Sequence, residues 1–448
     1  MEARAEDLGT RLGELLPAGE PNSVLALIET VAAADIAAAA RHLSATQLAS
    51  LLKLLPEEIR ANVIVELDDD DREEALEQLT AREIADAVEE MHSDDAADIV
   101  SELEEAKADE VVELLEEEDR REIRQLLAYP EDSAGGIMQL EVVWVRADRT
   151  VQRAIEKIRL AYGDLKEEFF YVFVVDTDGR LLGRIGLARL ILSAPDELIR
   201  NIMDPEVFGV LAETDQEDVA RLFQRYDLPS LPVVDRDNHL IGRITVDDIM
   251  DVIHEEAEED YTKLAGTHEG ELREDSVYRK AVIRLPWLVT GLFGGVLSAI
   301  VLSRFEQSLS ARITLAFFVP VITAMGGNVA IQSSAVMIRG LATGQVTPRD
   351  AARRLGREVG VSIVTGLVCA ALIFGTAWLW WGNLRLGGVV GGAMLAVVLL
   401  ATSIGAIVPL TLSRLRIDPA LATGPFVTTS NDILGIVVYL SLAMWLLR

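Results

Sequence analysis

Two stretches of the apolar C-terminal half carry residues that a span facing only lipid would not use. The first runs from Pro320 to Ser334 and holds Gly326, Gly327 and Asn328 among several hydroxyls. Glycines in a membrane helix let backbones approach closely or turn carbonyls toward a cavity, and irregular backbone survives at that depth only where protein or water satisfies it. The second is Thr428-Thr429-Ser430-Asn431-Asp432, which puts a carboxylate inside the last apolar span. Intramembrane polar and ionisable groups are costly and mark pathways. The two stretches read as walls of one cation route. The first stretch brings an amide, Asn328, and the second brings one carboxylate, Asp432. For Asp432 the other reading is a structural carboxylate paired to an adjacent span.

A second chemistry is written in carboxylates. Asp68 to Asp71, Asp94-Asp95-Ala96-Ala97-Asp98 and Glu116 to Asp119 interrupt apolar stripes. Asp248, Asp251 and Glu255 share one face of a later helix, with Glu256, Glu259 and Asp260 close by. Like charges three or four residues apart destabilise a helix. Hard divalent cations such as Mg2+ take carboxylate and water oxygens and would relieve that repulsion. The candidate regulatory ligands are Asp94, Asp98, Glu217, Asp248, Asp251, Glu256, Glu259, Asp260 and Asp418. Each run reads equally as a solvated acidic face.

The net charge of -32 is unevenly spread. Residues 281–448 hold 12 Arg, no Lys and five acids, which is +7 and leaves -39 on residues 1–280. So acidic a half repels nucleic acid and attracts cations or a basic partner. The single cysteine, Cys369, allows no disulfide framework and permits a reducing compartment. The opening segment Met1–Glu20 is charged, so no secretory signal is expected. Without a nucleophile–base arrangement, zinc spacing or phosphate loop, an enzyme is not expected either.

The elements that must position these groups differ along the chain. Residues 1–130 read as short amphipathic helices in an α-helical superhelical array. Apolar positions such as Leu48, Leu51, Leu52 and Leu55 repeat at spacings of three and four, and helix starts are marked by Ser44, Thr80 and Ser93. Between 131 and 255 an α+β pattern occurs twice. Val174-Val175-Asp176-Thr177-Asp178-Gly179-Arg180-Leu181-Leu182-Gly183-Arg184-Ile185 is echoed by Val233-Val234-Asp235-Arg236-Asp237-Asn238-His239-Leu240-Ile241-Gly242-Arg243-Ile244. Each is a strand, an Asp/Gly turn and a second strand. This segment resembles a tandem pair of CBS domains, which implies ligand sensing, often of adenine nucleotides. The family's ribose-contacting pattern, a Thr followed three residues later by Asp, maps onto Thr245 and Asp248. The first copy offers Gly186-Leu187-Ala188-Arg189 instead, so ATP is a candidate ligand for one site.

Residues 256–280 read as a charged connecting helix and 281–448 as an all-α bundle of five transmembrane helices. The apolar spans, about 284–303, 313–338, 359–381, 387–411 and 422–447, each exceed the roughly 20 residues a crossing needs. Arginines gather between spans two and three (Arg339, Arg349, Arg353, Arg354, Arg357) and between four and five (Arg414, Arg416). The positive-inside rule then puts the N-terminus in the cytoplasm and the C-terminus outside. At about 1.5 Å per residue Asp432 lies roughly 15 Å from the inner face and Asn328 about 22 Å from the outer. In a core about 30 Å thick these depths nearly coincide, so the two polar stretches can face one another.

Acidic helical domain, CBS pair, charged helix and five spans is an order that resembles the MgtE-type magnesium channel/transporter family over essentially the whole chain. The resemblance is carried by Tyr129-Pro130-Glu131-Asp132-Ser133-Ala134-Gly135, by Pro320 through Gln332 with Arg339-Gly340, and by Asp418-Pro419-Ala420 through Asp432. It implies a homodimer in the lipid of the inner cell membrane that takes up Mg2+ and is gated by intracellular Mg2+. Asp432 would be the pore ion site and Gly326, Gly327 and Asn328 would line the pore beside it. The chain departs from the family at Ala330-Ile331, where a small or polar pair is common. A proton-coupled divalent cation transporter and a membrane-anchored nucleotide sensor without transport stay open as other readings.

Overall fold

The computed structural model describes residues 2–161, 169–265, 276–342, 346, 351–415, 417, 419 and 425–447. It divides into two compact units, Met1–Ile253 and His254–Arg448.

The first unit begins with ten helices: α1 (Glu2–Ala18), α2 (Pro21–Ile28), α3 (Ala33–Ala40), α4 (Ala45–Leu54), α5 (Glu57–Val65), α6 (Asp69–Gln78), α7 (Ala81–Val88), α8 (Ser93–Ser101), α9 (Glu105–Leu114) and α10 (Glu117–Leu126). Helices this short are not stable alone and depend on tertiary packing. They share one core running from Leu12 through Leu51, Ile64 and Ile84 to Val111 and Ile123. Ser44 and Thr80 start α4 and α7 as expected, each closing a capping box, with Gln47 and Glu83 respectively. Ser93 does not cap α8, which begins from His92 without a side-chain bond. Its hydroxyl is used elsewhere.

Cations finish the helix ends that the tight connections leave open. The last carbonyls of a helix lack intrahelical donors, and an arginine early in the next helix supplies them. Buried Arg60 donates to Leu52 O at 2.9 Å, Leu55 O at 3.2 Å and, across the array, Glu83 O at 3.4 Å. Arg120 repeats the device on Val112 O and Leu115 O, both at 3.0 Å. Arg72 reaches Val65 O and Leu67 O at 3.4 and 3.3 Å.

The α+β part contains β1 (Trp144–Arg146), α11 (Val151–Ala161), β2 (Tyr171–Val175), β3 (Leu181–Gly186), α12 (Leu187–Leu192), α13 (Ile199–Ile202), β4 (Val210–Leu211), α14 (Gln216–Tyr226), β5 (Ser230–Val234) and β6 (Leu240–Thr245). Two three-stranded sheets, β1-β2-β3 and β4-β5-β6, follow one plan: a parallel pair, then an antiparallel hairpin. Both hairpins shift register at the same place, Val174/Val175 and Val233/Val234. Both turns use a left-handed residue, Gly179 (φ 89°) and Asn238 (φ 67°). The turns bond to each other: Leu181 N donates to Asn238 O at 2.9 Å, and Leu240 N to Gly179 O at 3.1 Å. From β6 the chain enters α15 (Val246–Ala265), one continuous helix. The expected division between CBS pair and connecting helix, at 255/256, falls inside it.

The second unit holds α16 (Val277–Ser303), α17 (Glu306–Ala311), a 3-10 segment (Ile313–Phe318), α18 (Val319–Ala342), α19 (Ala351–Trp381), α20 (Leu384–Arg414) and α21 (Pro425–Leu446). Among the described residues five helical stretches are long and apolar enough to cross a membrane. The inner helix is α20, whose buried face includes Val390, Ala393, Val397, Ala401 and Gly405. Small residues set its spacing, as membrane helix packing requires. A Cβ on Gly405 would collide with Ala330 O of α18. Pro320 sits in the first turn of α18, where its missing N–H costs nothing. The helix then runs unbroken through Gly326, Gly327 and Asn328. Carbonyls in such a run take part in the i→i−4 ladder of a regular helix.

Candidate functional site

In the first unit, carboxylates far apart in sequence converge where the helical array meets the second CBS copy. Asp94 and Asp95 come from the first turn of α8, Glu141 from the segment leading into β1, and Asp247 and Asp248 from the first turn of α15. Ser93 holds two of these elements together. Its N–H donates to Glu141 Oε1 at 3.1 Å, its hydroxyl donates to Oε2 at 2.8 Å, and Leu140 N donates to the same hydroxyl at 2.8 Å. Gln139 pairs through its backbone with Arg243 on β6, at 2.7 and 2.9 Å, and its amide reaches Asp248 Oδ2 at 3.4 Å. Asp248 in turn accepts from Thr245 N at 3.1 Å and from Thr245 Oγ1 at 2.6 Å, closing the start of α15.

The electrostatics follow from burial and crowding. Asp94 is 5 % exposed, and burial, then the neighbouring Asp248 and Asp95, push its carboxyl well above the usual range. Burial and then Asp248 raise Asp95 to about 6. Asp248 is also raised, by burial, against the hydrogen bonds from Thr245. On α10, burial and then Glu141 raise Glu122. Buried Arg243 is the cation of the group. Desolvation lowers its pKa while Glu141, Asp248, Asp94 and Asp247 hold its charge in place. Among the described residues, Asp94 Oδ1 and Gln139 Oε1 are buried without a hydrogen-bond partner. An all-oxygen, carboxylate-rich donor set with unused lone pairs suits a hard divalent cation.

Of the acidic residues singled out from sequence, only Asp94 and Asp248 belong to this cluster. Asp98 is exposed on α8 and lines a small cleft with Tyr129 and Glu131. Glu217 is taken up by Arg221 at 2.5 Å, which also holds Asp218 at 2.7 Å. Asp251 is exposed, Glu256 is half-buried, and Glu259 pairs with Lys263 at 2.6 Å. The Asp260 side chain and Asp418 lie outside the described residues. Sequence reasoning missed Asp95, Glu141, Asp247, Gln139 and Arg243. Their convergence crosses separations such as 48 and 109 residues, which no local spacing reveals.

Beside the cluster lies a cavity of about 240 Å³, walled by Phe169, Phe170, Tyr171, Pro229, Ser230, Arg243, Thr245 and Asp247 among others. Thr245 lines it. Asp248 does not; its carboxyl is turned to Thr245 and the acidic cluster, and the wall carboxylate is Asp247. Asp235, Asp237 and His239 also bring ligand atoms within 4.8 Å of one another. Asp235, however, is committed to its own turn, accepting from Asp237 N at 2.9 Å and His239 N at 2.8 Å.

In the second unit, α18 and α21 do meet, one residue away from the expected pair. Gly326 is buried against the side chain of Asn431, not of Asp432. Asn431 Nδ2 donates to Thr323 O at 3.4 Å. Asp432 is half-buried on the adjoining face of α21. Gly327 faces open space and Asn328 is exposed.

Known proteins share this layout. The family model for the MgtE divalent cation transporter matches residues 319–442, that for the MgtE intracellular N domain residues 31–132, and that for the CBS domain residues 134–194 and 199–255. The magnesium transporter MgtE of Bacillus subtilis (strain 168) is 39% identical over 318 residues, covering 71% of this chain and 70% of the relative. The protein of the same name from Thermus thermophilus is 40% identical over 329 residues, 72% of each chain. A crystal structure of the cytosolic domain of the Mg2+ channel MgtE in complex with ATP is 35% identical. It has a TM-score of 0.52 and covers 55% of this chain and 99% of that one. The helical array, the CBS pair and the apolar helices each fall within one of these matches, and the chain belongs to the MgtE family of divalent cation transporters.

Proposed function

We propose that this multi-pass membrane protein is a Mg2+-selective channel or transporter that admits Mg2+ and closes as Mg2+ rises on the side of its acidic half. The observation that carries the reading is Asp432, a half-buried carboxylate on a span whose neighbouring residue is locked into α18. Mg2+ dehydrates reluctantly and keeps several waters, so a selective site grips the hydrated ion through few carboxylates. One Asp432 from each of two copies meets that need. The exposed face of α18 supports a homodimer, since Asn328 stands there beside Val321 and Ile331. An amide turned to hydrocarbon is unfavourable, and a second copy facing this surface would cover it. Arg339 at the end of α18, Arg353, Arg354 and Arg357 at the start of α19, and Arg414 at the end of α20 favour a cytoplasmic N-terminus.

Regulation is assigned to the buried carboxylates. Asp94, Asp95, Glu141 and Asp248 would hold a divalent cation, which supplies the positive charge that Arg243 alone does not. Whatever binds the packed arrangement more tightly than the separated one shifts the equilibrium toward packing. The aromatic walls of the adjoining cavity, with Thr245 and Asp247, support an adenine nucleotide such as ATP as its ligand.

Uptake of Mg2+ into liposomes carrying wild type or Asp432→Ala, with Mg2+ on the acidic-half side varied, tests the proposal. Flux lost in the variant, and shut off in wild type by high Mg2+ on that side, supports both sites. Flux that survives in Asp432→Ala moves the ion site elsewhere. Uptake that tracks a pH gradient instead of the Mg2+ gradient would assign proton coupling.

A further inference from the structure

The Asn431 side chain is fully enclosed, 0% exposed, in a slot with three walls. A Cβ added to Gly326 of α18 would lie 2.6 Å from Asn431 Oδ1, 2.8 Å from Nδ2 and 3.0 Å from Val397 Cγ1 of α20. Gly435, one turn along α21, closes the third side, with a Cβ position 3.9 Å from Oδ1. While Nδ2 donates to Thr323 O at 3.4 Å, Oδ1 has no hydrogen-bond partner among the described residues. A buried acceptor left unpaired is unfavourable, and leucine, with the same branched outline though a larger volume, would carry none. What leucine lacks is a directional hold on Thr323.

We propose that Asn431 is the positioning residue of the pore site: seated in the notch left by Gly326 and held to Thr323 O, its amide fixes the rotation of α21 and so where the Asp432 carboxylate meets a cation. The inference rests on Asp432 as the ion ligand. Mg2+ demands near-ideal octahedral geometry and keeps its waters, whereas Ca2+ accepts irregular oxygen shells. A carboxylate fixed in place therefore favours Mg2+, and one free to wander gives part of that preference away. The Gly326–Asn431 contact is in this way a determinant of cation preference.

The test compares full-length protein in proteoliposomes as wild type, Asn431→Leu, Asn431→Ala, Gly326→Ala, the double variant Gly326→Ala/Asn431→Ala, and Asp432→Ala. Gly295→Ala, at a position with nothing within 4 Å, serves as a control for helix substitution. Half-saturation for Mg2+, maximal rate and the Mg2+:Ca2+ uptake ratio are read beside thermal melting in detergent. A folded Asn431→Leu should raise half-saturation and lower the Mg2+:Ca2+ ratio by about threefold or more. Gly326→Ala should lose flux on the order of tenfold, because its new methyl displaces the amide, and the double variant should regain most of it. A folded Asn431→Leu with unchanged half-saturation and ratio would overturn the inference, as would a Gly326→Ala that transports normally. If Asn431→Leu does not fold, the double variant decides: no recovery over Gly326→Ala overturns the steric lock. Wild-type flux in Asp432→Ala is a separate outcome, which overturns the pore site itself.

Discussion

Ser93 and Glu141 are clasped at two points, the Ser93 N–H on one carboxylate oxygen at 3.1 Å and its hydroxyl on the other at 2.8 Å. The clasp joins the helical array to the segment leading into the first CBS sheet, and it holds Glu141 where Asp94 and Asp95 feel its charge. Hydrogen bonds to a charged group contribute about 1.5–3 kcal/mol. Ser93→Ala removes the hydroxyl's bond to Glu141 and the one from Leu140 while leaving the backbone contact. It should lower the melting temperature of the full-length protein and weaken its stabilisation by Mg2+. Unchanged melting with and without Mg2+ would show that the clasp carries no free energy.

Asp94→Asn should act in the opposite sense on the cation-free protein. The substitution keeps the shape of the protonated acid and removes a buried charge from a crowded group. Melting in chelator should rise, and the increment given by added Mg2+ should shrink, because a ligand and its repulsion disappear together. A variant that melts lower in chelator yet responds fully to Mg2+ contradicts both parts.

Acidity should substitute for the cation. Asp95 titrates at about 6 in the folded chain, against an ordinary value of 3.8. Between those values the folded state binds a proton that the unfolded state does not. Stability in chelator therefore rises as pH falls from 7 through 6 toward 4, and is lost again as pH climbs back above 6, by roughly 1–3 kcal/mol in all. Melting curves recorded from pH 7.5 to 5 without Mg2+ should show this slope, and Asp95→Asn should flatten it. An equal slope in the variant assigns the effect to other groups.

Arg60→Ala tests the cation devices of the helical array. Three carbonyls lose their donor at once, and a buried aliphatic stem leaves a gap. The cost should be about 2–3 kcal/mol, read as a shifted denaturation midpoint for the array. Arg60→Lys should recover little, since one ammonium cannot match the fork that spans those carbonyls.

Much of this structure was legible in local pattern, because hydropathy and turn chemistry are local quantities. The five spans, the doubled hairpins with their turns at Gly179 and Asn238, and the caps at Ser44 and Thr80 all follow from residues near one another in sequence. Ser93 misled for the same reason: a serine at a helix start reads as a cap until a carboxylate 48 residues away claims it. The acidic cluster was half visible. Asp94 and Asp248 stood out as charged runs, whereas Glu141 is a lone acid at a strand approach and only the fold gives it company. Gly326 announced close approach, but not which neighbour approaches, and Gly327 beside it faces open space. The answer, the amide of Asn431, depends on how α21 is rotated, and spacing within α18 carries no information on that.

The bonds between the two hairpin turns bear on how such a protein can be assembled by gene duplication. Leu181 N, Leu240 N and the Asn238 amide all find their acceptors in the opposite copy, at 2.9, 3.1 and 2.9 Å. A solitary copy would carry those groups on an unpaired tip and would be inclined to recruit a sibling to satisfy them. The heritable module is then the pair. Recombination that inserts or deletes these repeats is tolerable in twos, and a lineage that lost one copy would have to borrow the missing tip from another chain.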